Sequence, residues 1–286
     1  MHDPLQLVTV VLVTYQSAHC LDSLRGLLDH CPHVMVSDNG SSDQTPARAR
    51  TQWSQALVLE HGRNLGFGAA NNRALAEVKT PLAFLLNPDC EITPGGLREL
   101  VRAAQDMPEA AMLAPQLCDG QGQPDVNYRW PGVVWRSRGP GAEGPTCVGF
   151  VVGAAMLLRL DRFADVGFFD ERFFLYYEDD DLCLRLFQHK LPMVVVPAVQ
   201  AVHRSRGSVK GDQPWRSEYL RGYHHAQSKL IYTAKHRSIS QAKWQRWKVL
   251  LGTSVALPLR VIAWSPRLLA RMWGRWMGLW KWSSRG

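Results

Sequence analysis

The chain has 286 residues, of which 46% are hydrophobic and 20% are charged, and its formal net charge is +8. This size and balance fit one large domain, or a domain with an appendage, and they exclude a small disulfide-stapled scaffold and a disordered chain. The six cysteines form no CxxC pair and no Cys/His cluster with zinc spacing, which favours a reducing compartment.

Charge is distributed unevenly along the chain. Residues 1–200 carry a net charge of −7, whereas residues 201–286 carry +15. We therefore expect the two parts to face different partners. The apolar run at residues 7–13 has no cationic leader and no small-residue cleavage site, so it predicts a buried strand and a cytoplasmic protein.

From residue 5 to about 115, short apolar runs alternate with helical patterns. This alternation predicts an α/β fold, with βαβ units on a doubly wound, mostly parallel sheet and helices on both faces. The predicted strands cover residues 7–13, 33–37, 57–60, 82–86 and 112–114.

The middle of the chain is less regular. Residues 119–146 are rich in Gly, Pro and Arg and predict a long loop. Residues 148–158 predict one buried strand, and residues 193–196 and 198–203 predict a strand pair that completes the sheet.

The C-terminal part differs in kind. Residues 214–236 predict a basic helix, and the segment from residue 243 onward holds seven of the eleven tryptophans. Pro258 and Arg260 interrupt its apolar run well short of the roughly 20 residues that a spanning helix needs. Trp and Leu recur on one face with cations beside them, which is typical of an amphipathic helix on an anionic membrane surface. A core helix or an oligomer contact is the alternative, and the spacing disfavours nucleic-acid binding.

Polar residues follow three predicted strands at their carboxyl ends, where open α/β sheets bind ligands. An N-cap or a turn is the ordinary structural alternative for any one of these carboxylates. The residues concerned are Thr14, Tyr15, Asp38, Asn39, Asn87 and Asp89.

Seven motifs in order resemble the family 2 inverting glycosyltransferases of the GT-A fold, in the rhamnosyltransferase-like branch that builds bacterial surface polysaccharides. The resemblance covers residues 7 to about 210. The motifs are VTY at 13–15, DNGSSD at 38–43, NLGFGAANN at 64–72, NPD at 87–89, GAAMLLR at 153–159, FFDERFFLYYEDDDLCLRL at 168–186 and HRSRGS at 203–208.

The resemblance implies a nucleotide-sugar donor, linked to dTDP or UDP. Asp38 would hydrogen-bond the base, flanked by Thr14 and Tyr15, while Arg63 and Arg206 would reach the diphosphate. Close packing of a helix on the sheet is the alternative for the small residues that begin at Gly66. The other residues implied on the donor side are Asn39, Asn64, Gly66, Asn72, Asn87 and Glu178.

The NPD triplet stands where many GT-A enzymes have a DxD motif, so the resemblance implies a divalent metal. Asp89 would supply a carboxylate oxygen to Mg²⁺ or Mn²⁺, and His203 would contact the metal or the diphosphate. Asn87 lowers the negative charge of this site. A structural histidine at a strand end is the alternative for His203.

Four acids in a row, Glu178 to Asp181, stand among aromatic and leucine residues. Favourable charge at a helix N-terminus is one explanation. The apolar setting also predicts a raised carboxylate pKa, as a general base requires. The resemblance implies that Asp179 is this base in a direct displacement that inverts the anomeric carbon.

We therefore expect a GT-A nucleotide-sugar-binding and catalytic domain over residues 1–210 and a basic, Trp-rich, helical membrane-associating extension over residues 211–286. The expected activity transfers L-rhamnose from dTDP-L-rhamnose to a lipid-linked glycan or surface-polysaccharide acceptor, at the inner face of the cell membrane. The alternatives are a UDP-hexose donor and a catalytically silent nucleotide-binding scaffold.

Overall fold

A computed structural model describes residues 3–126, 128–129, 141–204, 214–262 and 265–283. The chain divides into two compact units. The first contains Met1–Phe169 and Leu182–Lys210, and the second contains Asp170–Asp181 and Gly211–Gly286. The second unit therefore combines the chain from residue 211 onward with the twelve-residue segment 170–181.

The first unit is built on one mixed sheet. Its strands are β1 Val8–Thr14, β2 Val34–Asp38, β3 Ala56–Glu60, β4 Leu82–Leu86, β5 Cys90–Ile92, β6 Met112–Cys118, β7 Thr146–Val148, β8 Ala155–Arg159 and β9 Met193–His203. The helices of the chain are α1 Leu21–Leu28, α2 Thr45–Gln52, α3 Phe67–Leu75, α4 Pro94–Asp106, α5 Glu178–Gln188, α6 Pro214–His236, α7 Ile239–Ile262 and α8 Pro266–Lys281.

The strand order is β3-β2-β1-β4-β8-β6-β9-β5, with β7 pairing off this path with β9. The parallel pairs are β1–β2, β2–β3, β1–β4 and β6–β9. The antiparallel pairs involve β8, β5 and β7. Six of the nine strands therefore run in one direction, as the predicted mostly parallel sheet requires.

Two apolar layers cover the two faces of this sheet. Val10 and Leu12 of β1 pack into one layer, which includes buried leucines of α1 and α4. Val11, between them, points into the other layer with residues of α3 and the second half of α5. This alternation follows from the two-residue period of a strand, and it confirms the prediction of helices on both faces.

Two strand predictions were wrong. The single strand expected at residues 148–158 is two strands, β7 and β8, separated by a stretch that contains Gly149 and Gly153; β7 pairs with β9, whereas β8 pairs with β4 and β6. The strand pair expected around Pro197 is the single strand β9. Its register against β6 shifts between Pro115 and Gln116, where β9 has extra residues, so the missing N–H of Pro197 is tolerated.

The second unit contains α6, α7 and α8. Its apolar core includes Ala226 and Leu230 of α6, Leu250 of α7, and Leu279 of α8. Helix α6 covers the residues predicted for the basic helix. Within the described part of the chain, no helix combines the length and the apolar character needed to cross a membrane.

Candidate active site

The first group of predicted site residues lies at the carboxyl ends of the parallel neighbours β1 and β2, which pair Thr14 with Asp38. The Thr14 hydroxyl donates to Asp38 Oδ1 at 2.8 Å. The hydroxyl of Ser41 donates to the same oxygen at 2.6 Å, and its N–H donates to Oδ2 at 2.8 Å. The buried Asp38 carboxylate therefore shapes the turn after β2. Its contact with a nucleotide base stays a prediction, as does that of the neighbouring, exposed Tyr15.

Asn39 joins this turn to the loop before α3. Its side-chain amide donates to the carbonyl of Gly66 at 3.1 Å, and its oxygen accepts from the N–H of Leu65 at 3.1 Å. Gly40 has a φ of +76°, and a Cβ there would lie 2.8 Å from the backbone nitrogen of Arg63. Glycine is needed both for this backbone conformation and for the close approach. The structure thus brings the predicted donor loops 38–41 and 63–66 together.

Two asparagines of the NLGFGAANN motif organise backbone. Asn64 Oδ1 accepts from the N–H of Gly66 at 2.9 Å, just before α3 begins at Phe67. Asn72, inside α3, donates to the carbonyl of Phe169 at 2.8 Å and accepts from its N–H at 3.0 Å. Asn72 therefore holds the chain at Phe169, which precedes the acidic motif. These hydrogen bonds explain the positions of both side chains without a contact to the nucleotide-sugar donor.

The second group of predicted residues lies after β4. The N–H of Asn87 donates to the carbonyl of Ala154 at 2.9 Å, and the Asn87 side chain is half-buried. The short strand β5 pairs Cys90 with His203 of β9. This pairing leaves His203 Nε2 3.6 Å from Oδ1 of the buried Asp89. Strand β5 was not predicted, because it is only three residues long.

Asp89 and His203 supply a carboxylate oxygen and an imidazole nitrogen side by side. Both are ligands that divalent cations such as Mn²⁺ accept. Among the described residues, no group of three or more His, Cys, Asp or Glu side chains is arranged to hold a metal. The pair therefore fits part of a coordination shell, with positions left for phosphate oxygens and water.

The acidic motif belongs to the second unit and follows two unusual residues. Tyr176 and Tyr177 have φ values of +71° and +68°, a left-handed conformation that is strained for aromatic residues and is often found at functional sites. Helix α5 begins directly after them. Glu178 is buried, and its Oε2 has no hydrogen-bond partner among the described residues. Burial, and then the charge of Asp179, raise the pKa of Glu178 well above its ordinary value.

Asp179 is also buried, and its Oδ1 accepts a hydrogen bond of 2.9 Å from the N–H of Asp180. Its carboxylate therefore lies among the first amides of α5. This position favours an ionised carboxylate, because the N-terminus of a helix carries partial positive charge.

Two other acids of the segment are held by cations of α6. Asp181 Oδ1 lies 2.6 Å from Lys235 Nζ and 2.7 Å from His236 Nε2. Asp170 Oδ2 lies 2.7 Å from the same lysine and 2.6 Å from Arg172. Burial of Asp170 opposes ionisation, but hydrogen bonds from Arg172 and Lys235 outweigh it and hold the pKa of that carboxyl well below its usual range. Both acids therefore hold the segment in place.

Helix α6 also contacts the aromatic part of the segment. The hydroxyl of Ser228 donates to the carbonyl of Leu175 at 2.9 Å. The His224 ring stacks on Phe174, with ring centroids 4.3 Å apart. These contacts fix the backbone just before the two left-handed tyrosines.

His225 packs against both tyrosines, with ring centroids 5.7 Å from Tyr176 and 5.4 Å from Tyr177. Burial, together with the nearby charges of Arg275 and Lys229, lowers the pKa of His225 to about 4. The imidazole is therefore neutral near pH 7.

The sequence predicted α6 but not its contacts with the acidic motif. The signal was present, because the residues concerned recur on one face of the helix at helical spacing. They are His224, His225, Ser228, Tyr232, Lys235 and His236. Of the predicted site residues, Arg206 lies outside the described residues.

Comparison with known proteins identifies the family and the fold of the chain. The sequence pattern described as Glycosyl transferase family 2 matches residues 9–161. The chain belongs to this family. As a family 2 glycosyltransferase, it carries the GT-A fold that its motifs predicted.

One relative is the N-acetylglucosaminyl-diphospho-decaprenol L-rhamnosyltransferase of Mycobacterium tuberculosis. The two sequences are 30% identical over 266 residues, covering 80% of this chain and 84% of the relative.

Two solved structures are similar in fold. GalNAc-T7 with UDP, GalNAc and Mn²⁺ matches with a TM-score of 0.56 and 13% identity, over 79% of this chain and 49% of that chain. The mannosyltransferase PcManGT of Pyrobaculum calidifontis, in complex with GDP-Man and Mn²⁺, matches with a TM-score of 0.55 and 14% identity, over 96% and 85% of the two chains.

Proposed function

We propose that this family 2 glycosyltransferase transfers a sugar with inversion and that Asp179 is its general base. The observation that carries the proposal is that the carboxylates of residues 170–181 have different surroundings. Asp170 and Asp181 form ion pairs with Lys235, and Asp179 lies buried next to Glu178 at the start of α5. Burial and the charge of Asp179 raise the pKa of Glu178, whereas the first amides of α5 stabilise negative charge on Asp179, so we assign Asp179 as the base.

In the proposed reaction, Asp179 takes the proton of an acceptor hydroxyl while that oxygen attacks the anomeric carbon. The attack comes from the face opposite the nucleotide. A new carbon–oxygen bond forms as the bond to the diphosphate breaks, and the electron pair leaves with the diphosphate. A single displacement of this kind needs one base and inverts the anomeric configuration.

Asp89 and His203 are the residues that would hold Mg²⁺ or Mn²⁺. Such an ion, when bound, neutralises charge on the departing diphosphate. The carboxylate–imidazole pair supports this assignment, as do two neighbours of the same fold that hold Mn²⁺. The donor loops 38–41 and 63–66 would hold the nucleotide and its phosphates.

We propose dTDP-L-rhamnose as the donor and a lipid-linked glycan as the acceptor. The support is the relative that acts as an N-acetylglucosaminyl-diphospho-decaprenol L-rhamnosyltransferase, which aligns with four fifths of this chain. Motifs of the rhamnosyltransferase-like branch run through the same region.

We further propose that the enzyme lies on the inner face of the cell membrane. An apolar stripe is exposed along α7, where the exposed fractions are 71% for Trp244, 60% for Trp247, 70% for Leu251 and 64% for Val255. These positions share one helix face. Lys and Arg residues stand beside them, as in helices that bind anionic lipid.

The replacement Asp179→Asn tests the proposed base. We expect turnover from dTDP-L-rhamnose to a soluble N-acetylglucosaminyl acceptor to fall by at least about a thousandfold, since an amide accepts no proton. Donor affinity, measured by thermal protection in the presence of Mn²⁺, should change less than about threefold. The matched control is Asp106→Asn, which alters an exposed carboxylate at the end of α4.

Unchanged turnover in Asp179→Asn would contradict the base assignment. Removal of divalent metal with EDTA should abolish donor protection in the wild type, and protection that persists without metal would contradict the role of Asp89 and His203. Donor binding without transfer to any acceptor would instead indicate the nucleotide-binding scaffold.

A further inference from the structure

An apolar groove of about 920 Å³ lies within the second unit. Trp215 of α6, Leu257 and Pro258 of α7, and Leu269 and Trp273 of α8 line it. Trp215 and Trp273 are about half exposed. Large apolar surface that stays open to solvent marks a binding surface more often than a structural accident.

Few polar groups line the groove, and two of them are paired with each other. The Nε1–H of Trp276 donates to Ser254 Oγ at 3.0 Å, so these two lining residues hydrogen-bond each other. Pro258 and Pro266 have no backbone N–H to offer. A glycan or a polar peptide would find few partners on these walls, whereas a hydrocarbon chain needs none.

The charge around the groove restricts its occupant further. Residues 214–283 carry 13 Lys and Arg but one acid, Glu218. Arg271 and Arg275 of α8 line a second cavity of about 440 Å³, where Arg271 Nε lies 3.8 Å from a carboxylate oxygen of Glu218. An anionic head group therefore complements the surface, and a cationic partner does not.

We propose that the groove binds the hydrocarbon chain of a polyprenyl diphosphate, the lipid part of the acceptor, while the net positive charge of residues 214–283 attracts its diphosphate. The proposal rests on the lipid-linked acceptor of the proposed function and gives it a binding site. Ligand pockets measure about 300–1,000 Å³, and this groove is at the upper end, as a long chain requires. The site is separate from the donor loops in sequence and in composition.

Binding of prenyl diphosphates with 10, 15 and 20 carbons to the full-length protein tests the site by calorimetry, without vesicles and without donor. Each buried methylene group raises affinity by up to about fourfold, so we expect at least a ~10-fold gain from the shortest to the longest chain. Leu269→Gln and Trp273→Ala should reduce that gain to less than ~3-fold. Leu57→Ser, which alters an exposed leucine of β3, should leave it unchanged.

Trp273 is half exposed, so its replacement keeps the test informative even if Leu269→Gln fails to fold. An affinity that ignores chain length, or a chain-length gain that survives in both variants, would overturn the proposal. So would a wild-type dimer that Trp273→Ala dissociates, because a second copy would then cover the groove. The probes carry no sugar, so chain binding without any sugar transfer would contradict only the proposed function.

Discussion

At the scale of single residues, His225 makes the stability of the protein depend on pH. His225 is half-buried against two left-handed tyrosines and lies near the positive charges of α8, and both the partial burial and those charges disfavour its protonated form. Its pKa is about 4 in the folded protein, against an ordinary value of 6.5. Between these two values the unfolded chain binds more protons than the folded chain, so stability must fall as pH falls.

We expect the free energy of unfolding to drop by about 2 kcal/mol between pH 7.5 and pH 5 on account of His225. The variant His225→Phe keeps a ring against the tyrosines but cannot titrate, so its stability should depend on pH by that much less. Urea unfolding of both proteins across this range measures the difference. Equal pH slopes for the two proteins would show that the histidine is not responsible.

Many of the hydrogen bonds that position the site residues join positions far apart in the chain. The motifs indicated which loops carry polar side chains, because those loops follow apolar runs. They did not indicate that Ser41 would donate two hydrogen bonds to Asp38, or that Asn72 would pair with Phe169, 97 positions away. Such pairings depend on the folded path of the chain.

At the scale of elements, α6 and α8 approach each other through glycines. A Cβ added to Gly274 or Gly278 of α8 would overlap with the carbonyl oxygen of Tyr219 or Tyr223 on α6, respectively. A Cβ added to Gly222 of α6 would overlap with the carbonyl oxygen of Arg271 on α8. The two helices therefore run in the same direction with their backbones in close contact, and α7 connects them.

The variant Gly274→Ala should lower the stability of the protein by about 1–3 kcal/mol, because the backbone of Tyr219 cannot move aside without separating the helices. Gly252→Ala is the matched control. Gly252 lies inside α7, with nothing within 4 Å of its would-be Cβ, so alanine should add about 0.5–1 kcal/mol of helix stability. Chemical denaturation measures both, and a neutral Gly274→Ala would contradict the tight crossing.

Strands and helices were predicted correctly where the hydrophobic pattern of the sequence matches the burial of the element in the fold. The runs of β1, β2 and β4 are apolar because those strands are covered on both faces, and α6 matches its predicted bounds. The break between β7 and β8 escaped prediction, because the residues between them are as apolar as a strand and their partners are distant. The three-residue β5 carries too little pattern to recognise.

At the scale of the whole molecule, charge separates the chain into an acidic part and a strongly basic part. The basic part also exposes the apolar stripe of α7, which has Trp244 and Leu251 among its most exposed members. A surface with both properties gains free energy at an anionic bilayer from burial of apolar area and from attraction to lipid head groups.

The double variant Trp244→Ser/Leu251→Ser should therefore weaken binding to vesicles of anionic lipid by about tenfold or more. Flotation of the full-length protein with such vesicles measures the effect, and salt should weaken the binding of the wild type. Leu57→Ser serves as the control. Undiminished flotation of the double variant would show that the stripe does not contribute to membrane binding.

The inclusion of residues 170–181 in the same compact unit as α6, α7 and α8 means that the tail is no detachable module. A chimera spliced at residue 210, or a truncation beyond it, would strip Lys235 and His236 from Asp181 and leave the acidic motif without its scaffold. Exchange of acceptor preference between homologous enzymes would thus require transplanting both stretches at once.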